Sequence, residues 1–119
     1  MIHRMKLWND SFVAIKSGSK TIEMRLNDEK RKLIKPKDYI EFTNTSTNEK
    51  ILCVVIDIYR YYNFEELYEN HNKTSLGYKA DETADPSDML DYYSDDDIKK
   101  YGVVGIELKL LKGELFIKF

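Results

Sequence analysis

Alternating apolar and polar residues run through much of the chain and predict β-strands. Four segments alternate or are apolar on both faces, and a fifth run follows near the end: HRMKL, residues 20–26, DYIEF, KILCVVIDIY and VVGIELKLL. KILCVVIDIY is apolar on both faces, which predicts a central strand or one long enough to serve two parts of a curved sheet. Lys112 and Gly113 predict a tight hairpin leading to a last strand, ELFIKF. About six strands are therefore expected.

Capping signals between the strands predict about four short helices. Asn9 and Asp10 are candidate N-caps for a helix over 11–17, which Gly18 ends. Asn27 precedes a polar helical turn, DEKRKLI, whose Leu33 and Ile34 are expected in the core. The remaining helices, introduced by Asn63, Asp85 and Ser94, are expected over 64–70, 86–93 and 95–101. The pattern predicts an α+β fold and, because many curved strands share a short chain, a small mixed β-barrel.

Composition narrows the class of protein. The 119 residues are 42% hydrophobic and predict a single domain over 1–119 with a real core. Cys53 is the only cysteine, so an internal disulfide and a four-cysteine zinc site are excluded. No membrane-spanning run or secretion signal is evident, which favours a cytoplasmic location without a membrane partner.

Charge is unevenly distributed along the chain. Residues 1–37 carry ten Lys or Arg and four Asp or Glu, a net charge of +6, whereas residues 81–97 carry eight acids and no base. A basic surface of this kind attracts phosphates in a salt-dependent manner. The alternative is that both regions are solvated helix faces, with the acids stabilising first turns of helices. The sequence leaves open whether 81–97 covers a binding cleft.

The stretch GSKTIEMR carries mixed charges within a predicted strand. Strand alternation places Thr21, Glu23 and Arg25 on one face and Lys20 on the other. Glu23 would then orient Arg25 as a rigid fork for phosphate, carboxylate or a base edge, with Lys20 as a mobile point charge. The alternative is a surface ion pair on an edge strand.

Other chemistry is weakly signalled. His71 follows a helix end, where a protonated imidazole would cap the helix, and His3 lies near the terminus. The acids of 81–97 lack the spacing of a calcium loop, so no metal and no cofactor are expected. Tyr59, Tyr61 and Tyr62 surround Arg60, an arrangement that suits either base stacking or the core.

GSKTIEMR resembles the GxKxxExR motif of the ASCH domain, a PUA-like family, in the residues Gly18, Lys20, Glu23 and Arg25. The likeness extends over SFVAIKSG, LNDEKRKLIKPKDYIEF, FEELY and YYSDDDIKKYGVVGIEL, as in bacterial single-domain members. It implies a barrel of about six strands with a cleft for RNA or a nucleotide beside the motif. The chain departs from the family in having Lys37 before Asp38, where a glycine is usual, which puts a turn conformation in question.

The preferred hypothesis is a module that binds RNA, single-stranded or structured, or a nucleotide. Its candidate binding residues are Trp8, Lys20, Thr21, Glu23, Arg25 and Arg31, with the lysines of 30–37 steering approach. The alternative is a small hydrolase acting on a modified nucleoside, as in the family branch that acts on N4-acetylcytidine, or a ribonuclease. There Lys20 would act as base and Glu23 as acid or orienter, but Glu23 occupies the position of that branch's threonine. The oligomeric state is left open.

Overall fold

The computed structural model describes residues 1–111 and places five strands in one curled sheet. The strands are β1 (Ile2–Leu7), β2 (Ile22–Leu26), β3 (Tyr39–Asn44), β4 (Lys50–Tyr61) and β5 (Val103–Leu110). Their order in the sheet is β1-β3-β4-β5-β2, with β1 and β3 parallel and the other neighbours antiparallel. The predicted α+β class is confirmed, whereas the predicted hairpin at Lys112 and Gly113 and the strand ELFIKF lie outside the described residues.

The long strand β4 curls the sheet. Residues 50–54 of β4 pair with β3 and residues 53–61 with β5, and the pairing with β5 shifts register between Val55 and Asp57. An irregularity of this kind bends a strand and increases its twist. The bend brings β1 and β2, which end the sheet order, close enough for a side chain of β2 to reach the backbone of β1: Arg25 Nη2 donates to Lys6 O at 2.7 Å. The predicted central position of this strand is confirmed.

Within residues 1–111, three α-helices and two 3₁₀ helices connect the strands. They are α1 (Asn9–Ser17), α2 (Phe64–Asn70), α3 (Asp95–Tyr101) and the 3₁₀ helices Arg31–Leu33 and Pro86–Asp91. The side chains of Asn63, Asp85 and Ser94 each accept a backbone N–H bond, as their sequence positions predict. The helices predicted at 64–70 and 95–101 are confirmed, and the one predicted at 86–93 is a 3₁₀ helix that ends two residues earlier.

The start of α1 differs from prediction. The helix begins at Asn9 rather than at residue 11, and Trp8 occupies the N-cap position with no side-chain cap bond. Asn9 Oδ1 instead accepts a hydrogen bond from Asn44 Nδ2 at 2.9 Å. Asn44 is buried, and a buried amide needs a partner, so this tertiary contact takes the side chain that local capping would use.

Two turns predicted from the sequence contain a residue with a positive φ angle. Gly18 adopts φ +86° and ends α1, as predicted. Lys37 adopts φ +78°, so the left-handed turn that a glycine usually provides is made here by lysine. In the turn after Asn27, Ile34 is buried as predicted, but Leu33 is 61% exposed because the 3₁₀ helix turns it to solvent.

Two groups of apolar side chains form the core. One joins α1 to β1, β3, β4 and β5 and includes the fully buried Phe12, Ile40 and Phe42. The other packs β2 against α2 and α3, with Phe64 and Leu67 at its centre. Cys53 is fully buried, and burial raises the pKa of its thiol to about 12. In residues 1–111, no helix is long and apolar enough to cross a membrane.

Candidate functional site

A cleft of about 620 Å³ opens at the gap between β1 and β2. These strands end the sheet order within residues 1–111, so the cleft occupies the open seam of the curled sheet. One side is formed by the end of β1 and the start of α1, and the other by β2 and the residues just before it. Residues of 68–78 and 82–93 complete the walls. The lining includes residues of both groups of apolar side chains that form the core.

The floor of the cleft is a buried ion triad of Lys20, Glu23 and Arg25. Lys20 Nζ donates to Glu23 Oε1 at 2.8 Å, and Arg25 Nε donates to Glu23 Oε2 at 2.8 Å. Arg25 Nη2 also donates to Lys6 O across the seam at 2.7 Å. Lys20 and Glu23 are only 8% and 5% exposed. The predicted role of Glu23 in orienting Arg25 therefore has a geometric basis, and it extends to Lys20.

The charges of the triad stabilise one another. Burial raises the pKa of Glu23, but attraction and hydrogen bonds from Lys20 and Arg25 outweigh it, so the pKa of Glu23 lies below its usual value. Burial likewise lowers the pKa of Arg25, and Glu23 more than compensates, so the net shift is upward. Glu23 is therefore ionised at neutral pH, and its carboxylate lies between the side chains of Lys20 and Arg25.

Lys20 does not behave as strand alternation predicts. β2 begins at Ile22, and the Lys20 N–H donates to Ala14 O at 3.0 Å. Lys20 therefore belongs to the turn after α1 and not to the strand, so strand alternation does not apply to it. Its side chain therefore reaches the same side as Glu23, and it is fixed rather than mobile. Gly77 makes room for it, because a Cβ added there would lie 3.1 Å from Lys20 Cδ. The prediction that Lys20 faces away from Glu23 is wrong.

The rim of the cleft is aromatic and largely acidic. The rings of Trp8 and Tyr92 lie 5.1 Å apart, and these residues are 63% and 53% exposed. Three carboxylates also line the cleft near its walls: Asp10, Glu82 and Asp91. Since Glu82, Asp91 and Tyr92 belong to the acidic stretch, residues 81–97 form part of one wall.

Thr21 and Arg31, which the sequence proposes as binding residues, do not line the cleft. The backbone of Thr21 is used in packing: its N–H donates to Ser75 O at 3.0 Å. Arg31 Nη1 donates to Asp28 Oδ2 at 2.9 Å, within the polar turn that follows β2. Trp8, Lys20, Glu23 and Arg25 are the predicted residues that the structure brings together.

Several lining residues escaped the sequence analysis. Ser11 Oγ lies 3.4 Å from Lys20 Nζ, and Tyr93 lies close enough to Arg25 and Glu23 for their charges to act on its pKa, which burial raises. Tyr68 and Tyr78 share a hydroxyl hydrogen bond of 2.8 Å in another wall. The consecutive tyrosines 92 and 93 at the end of the helix predicted over 86–93 were the one available signal.

The tyrosines around Arg60 lie at the far end of β4 and do not line the cleft. Tyr59 donates to Glu107 at 2.7 Å, and the Tyr61 hydroxyl lies 2.8 Å from His71 Nε2. His71 stands at the C-cap position of α2, the helix end at which a capping role is predicted, but burial lowers the pKa of its imidazole and so favours the neutral form over the protonated one. Across residues 1–111, no group of three or more His, Cys, Asp or Glu is placed to hold a metal ion.

Comparison with known proteins gives a family and a shared fold. The model of the ASCH domain matches residues 5–112. The crystal structure of hypothetical protein PH0355 is 31% identical over 93% of this chain and 100% of that one, with a TM-score of 0.79. The solution structure of protein PF0455 from Pyrococcus furiosus is 32% identical over 94% and 99% of the chains, with a TM-score of 0.73. The ASCH protein from Zymomonas mobilis, 16% identical over 99% and 80%, shares the fold at a TM-score of 0.59. No curated protein matches significantly.

Proposed function

The chain belongs to the ASCH domain family, and from this premise we propose that it binds RNA or a nucleotide, with one nucleotide unit in the cleft between β1 and β2. The observation that carries the proposal is the buried Lys20–Glu23–Arg25 triad on the floor of an open cleft with exposed aromatic rings at its mouth. Buried charges are costly to maintain, and a cleft is where they are most often functional.

The floor retains donors for a ligand. Arg25 Nη1 has no hydrogen-bond partner among residues 1–111, and Lys20 Nζ has a third proton beyond those directed to Glu23 and Ser11. A guanidinium nitrogen and an ammonium at fixed positions suit a phosphate oxygen or a base carbonyl. Both oxygens of Glu23 already accept from these cations, which supports its role as the group that orients them.

The rim favours an aromatic ligand of low charge in the cleft itself. Trp8 and Tyr92 offer exposed rings for base stacking. The lining carboxylates outnumber the lining cations by one: Asp10, Glu23, Glu82 and Asp91 against Lys6, Lys20 and Arg25. A base with a single phosphate suits this balance better than a polyphosphate does.

Trp8 is the only tryptophan and provides an internal reporter of binding. We expect its fluorescence to change on titration with uridine 5′-monophosphate and with a single-stranded RNA of about eight nucleotides, more strongly at low than at moderate salt. Arg25→Lys keeps the charge but removes the fork, so binding should weaken about tenfold. Arg60→Lys is the matched control, since Arg60 is exposed on β4 outside the cleft lining. Absence of binding by the unsubstituted protein at both salt concentrations would contradict the proposal.

A hydrolase acting on a modified nucleoside is the second candidate, and the Ser11 hydroxyl beside Lys20 Nζ is the observation in its favour. Lys20 would have to accept a proton from Ser11, yet its ammonium donates to Glu23 at 2.8 Å, which makes it a poor acceptor. Neither His3 nor His71 lines the cleft, so a histidine-based ribonuclease has less support. Incubation with N4-acetylcytidine tests this candidate: product formed by the unsubstituted protein but not by Lys20→Ala or Ser11→Ala would place it first.

A further inference from the structure

A second charged surface adjoins the cleft on the outer side of β1. Arg4 and Lys6 alternate with buried residues along β1, so both lie on its exposed face. Lys6 lines the cleft, and Arg4 stands one strand repeat, about 7 Å, farther from it. Lys30 adds a cation at the edge of β1, because its Nζ donates to Arg4 O at 2.9 Å.

The same face continues across β3 to the start of β4. Lys6 is in register with Thr43 and Thr43 with Lys50, whose Nζ donates to Thr43 Oγ1 at 2.8 Å. Glu41, on β3 between these cations, is shared between Arg4 at 3.6 Å and Lys50 at 3.9 Å. The basic strand face, defined as Arg4, Lys6, Lys30 and Lys50 around Glu41, therefore keeps a net positive charge.

An exposed aromatic residue lies beside these cations. Tyr39 is 39% exposed and stands on β3 two residues from Glu41, on the same face. Cations that follow a strand with an aromatic ring beside them suit single-stranded nucleic acid, in which phosphates and bases alternate along the backbone. An acidic peptide would use the cations but would gain little from the ring.

The opposite wall of the cleft repels a polyanion. That wall comes from residues 81–97, which carry eight acids and no base. A chain of phosphates that enters the cleft therefore leaves it more favourably over β1 than along this wall.

We propose that the basic strand face binds the sugar–phosphate backbone of nucleotides that flank the one in the cleft, so that the ligand is a segment of single-stranded RNA and not a free nucleotide. This inference rests on the proposed function of the cleft. It adds to that function a direction for the strand across the molecule and a set of cations that a mononucleotide does not contact.

The test compares uridine 5′-monophosphate with a single-stranded RNA of about eight nucleotides, both followed by Trp8 fluorescence over a range of salt concentrations. The double variant Arg4→Gln/Lys50→Gln should weaken RNA binding about tenfold at low salt and reduce the slope of log affinity against log salt by about 1.4. Affinity for the mononucleotide should stay unchanged, because neither residue lines the cleft. Lys99→Gln/Lys100→Gln on α3 removes the same charge and should leave both affinities unchanged.

Lys30→Gln is the second variant, since it leaves Glu41 and its partners intact. It should reduce the salt slope by about 0.7. The inference is overturned, with the function of the cleft preserved, if the unsubstituted protein binds the mononucleotide as tightly as the RNA, or if neither variant changes the slope. If the unsubstituted protein binds neither ligand, the proposed function itself fails.

Discussion

The floor and the rim of the cleft are built in opposite ways. The floor is a buried triad in which both oxygens of Glu23 accept from cations, so folding and binding depend on the same contacts. The rim is a pair of exposed rings, Trp8 and Tyr92, whose side chains contribute little to the stability of the fold. A substitution at the floor should therefore lower the free energy of unfolding as well as the affinity for the ligand. A substitution at the rim should lower the affinity alone.

Glu23→Gln should produce the largest effect. It leaves the cations of Lys20 and Arg25 in a buried site without their carboxylate, and breaking a buried ion pair costs about 3–5 kcal/mol. The free energy of unfolding, obtained by denaturant titration, measures this loss. Glu69→Gln, on the exposed surface of α2, should change it by less than about 0.5 kcal/mol. If the two variants proved equally stable, the triad would not be a structural element of the floor.

Tyr92→Ala should lower the affinity for RNA and leave the stability nearly unchanged, unlike Glu23→Gln. Loss of one stacking ring costs about 1–3 kcal/mol of affinity for single-stranded RNA, whereas an exposed side chain contributes little to folding. Binding followed by Trp8 fluorescence and unfolding followed by denaturant should therefore give a large and a small change respectively. Tyr62→Ala removes a ring that is 85% exposed and outside the cleft lining, and it should alter neither quantity. A loss of stability without a loss of affinity would assign Tyr92 to the core.

Alanine substitutions at two glycines distinguish the effect of backbone strain from the effect of displacing the Lys20 side chain. Gly18 and Gly77 both have positive φ, +86° and +109°, so alanine at either should cost about 1–2 kcal/mol of stability. Only at Gly77 does the new Cβ meet Lys20, at 3.1 Å from Cδ, whereas nothing lies within 4 Å at Gly18. Gly77→Ala should thus also weaken mononucleotide binding, and Gly18→Ala should not. Equal affinities would show that Lys20 adjusts without loss.

Local signals predicted much of the fold. Alternation, the caps at Asn63 and Ser94 and the turn at Gly18 each depend on a few neighbouring residues, and the structure confirms them. The start of α1 was wrong because Asn44, distant in sequence, hydrogen-bonds Asn9. Neighbouring residues in the sequence do not show that a potential capping side chain will be used in a tertiary hydrogen bond.

The site was predictable only in part for the same reason. Lys20, Glu23 and Arg25 are close in sequence, so their association could be anticipated, but the face of Lys20 depended on whether β2 starts at residue 20 or at Ile22. The seam itself depends on the curl of β4, which brings Arg25 to Lys6 across the sheet order. Arg31 has the right charge in the right segment, yet Asp28 engages it locally.

The pH dependence of the free energy of unfolding provides the last and smallest test, because the change that Glu23 causes appears only at acid pH. The pKa of Glu23 in the folded protein lies below its ordinary value of 4.5, so the unfolded chain takes up the proton first as pH falls. The triad's contribution is therefore complete above about pH 4.5 and is lost as pH falls through the lower, folded pKa.

The stability difference between the unsubstituted protein and Glu23→Gln should accordingly be constant down to about pH 4.5 and shrink below it. Asp38 and Asp85 also have lowered pKa values, Asp38 through its hydrogen bond with His3 and Asp85 through bonds from Ser87, but both are present in each protein and cancel in the difference. Denaturant titrations at a series of pH values measure it. A difference that stayed constant to about pH 3 would mean that Glu23 titrates no differently in the folded and unfolded chains, which would contradict the net stabilisation of its carboxylate by Lys20 and Arg25.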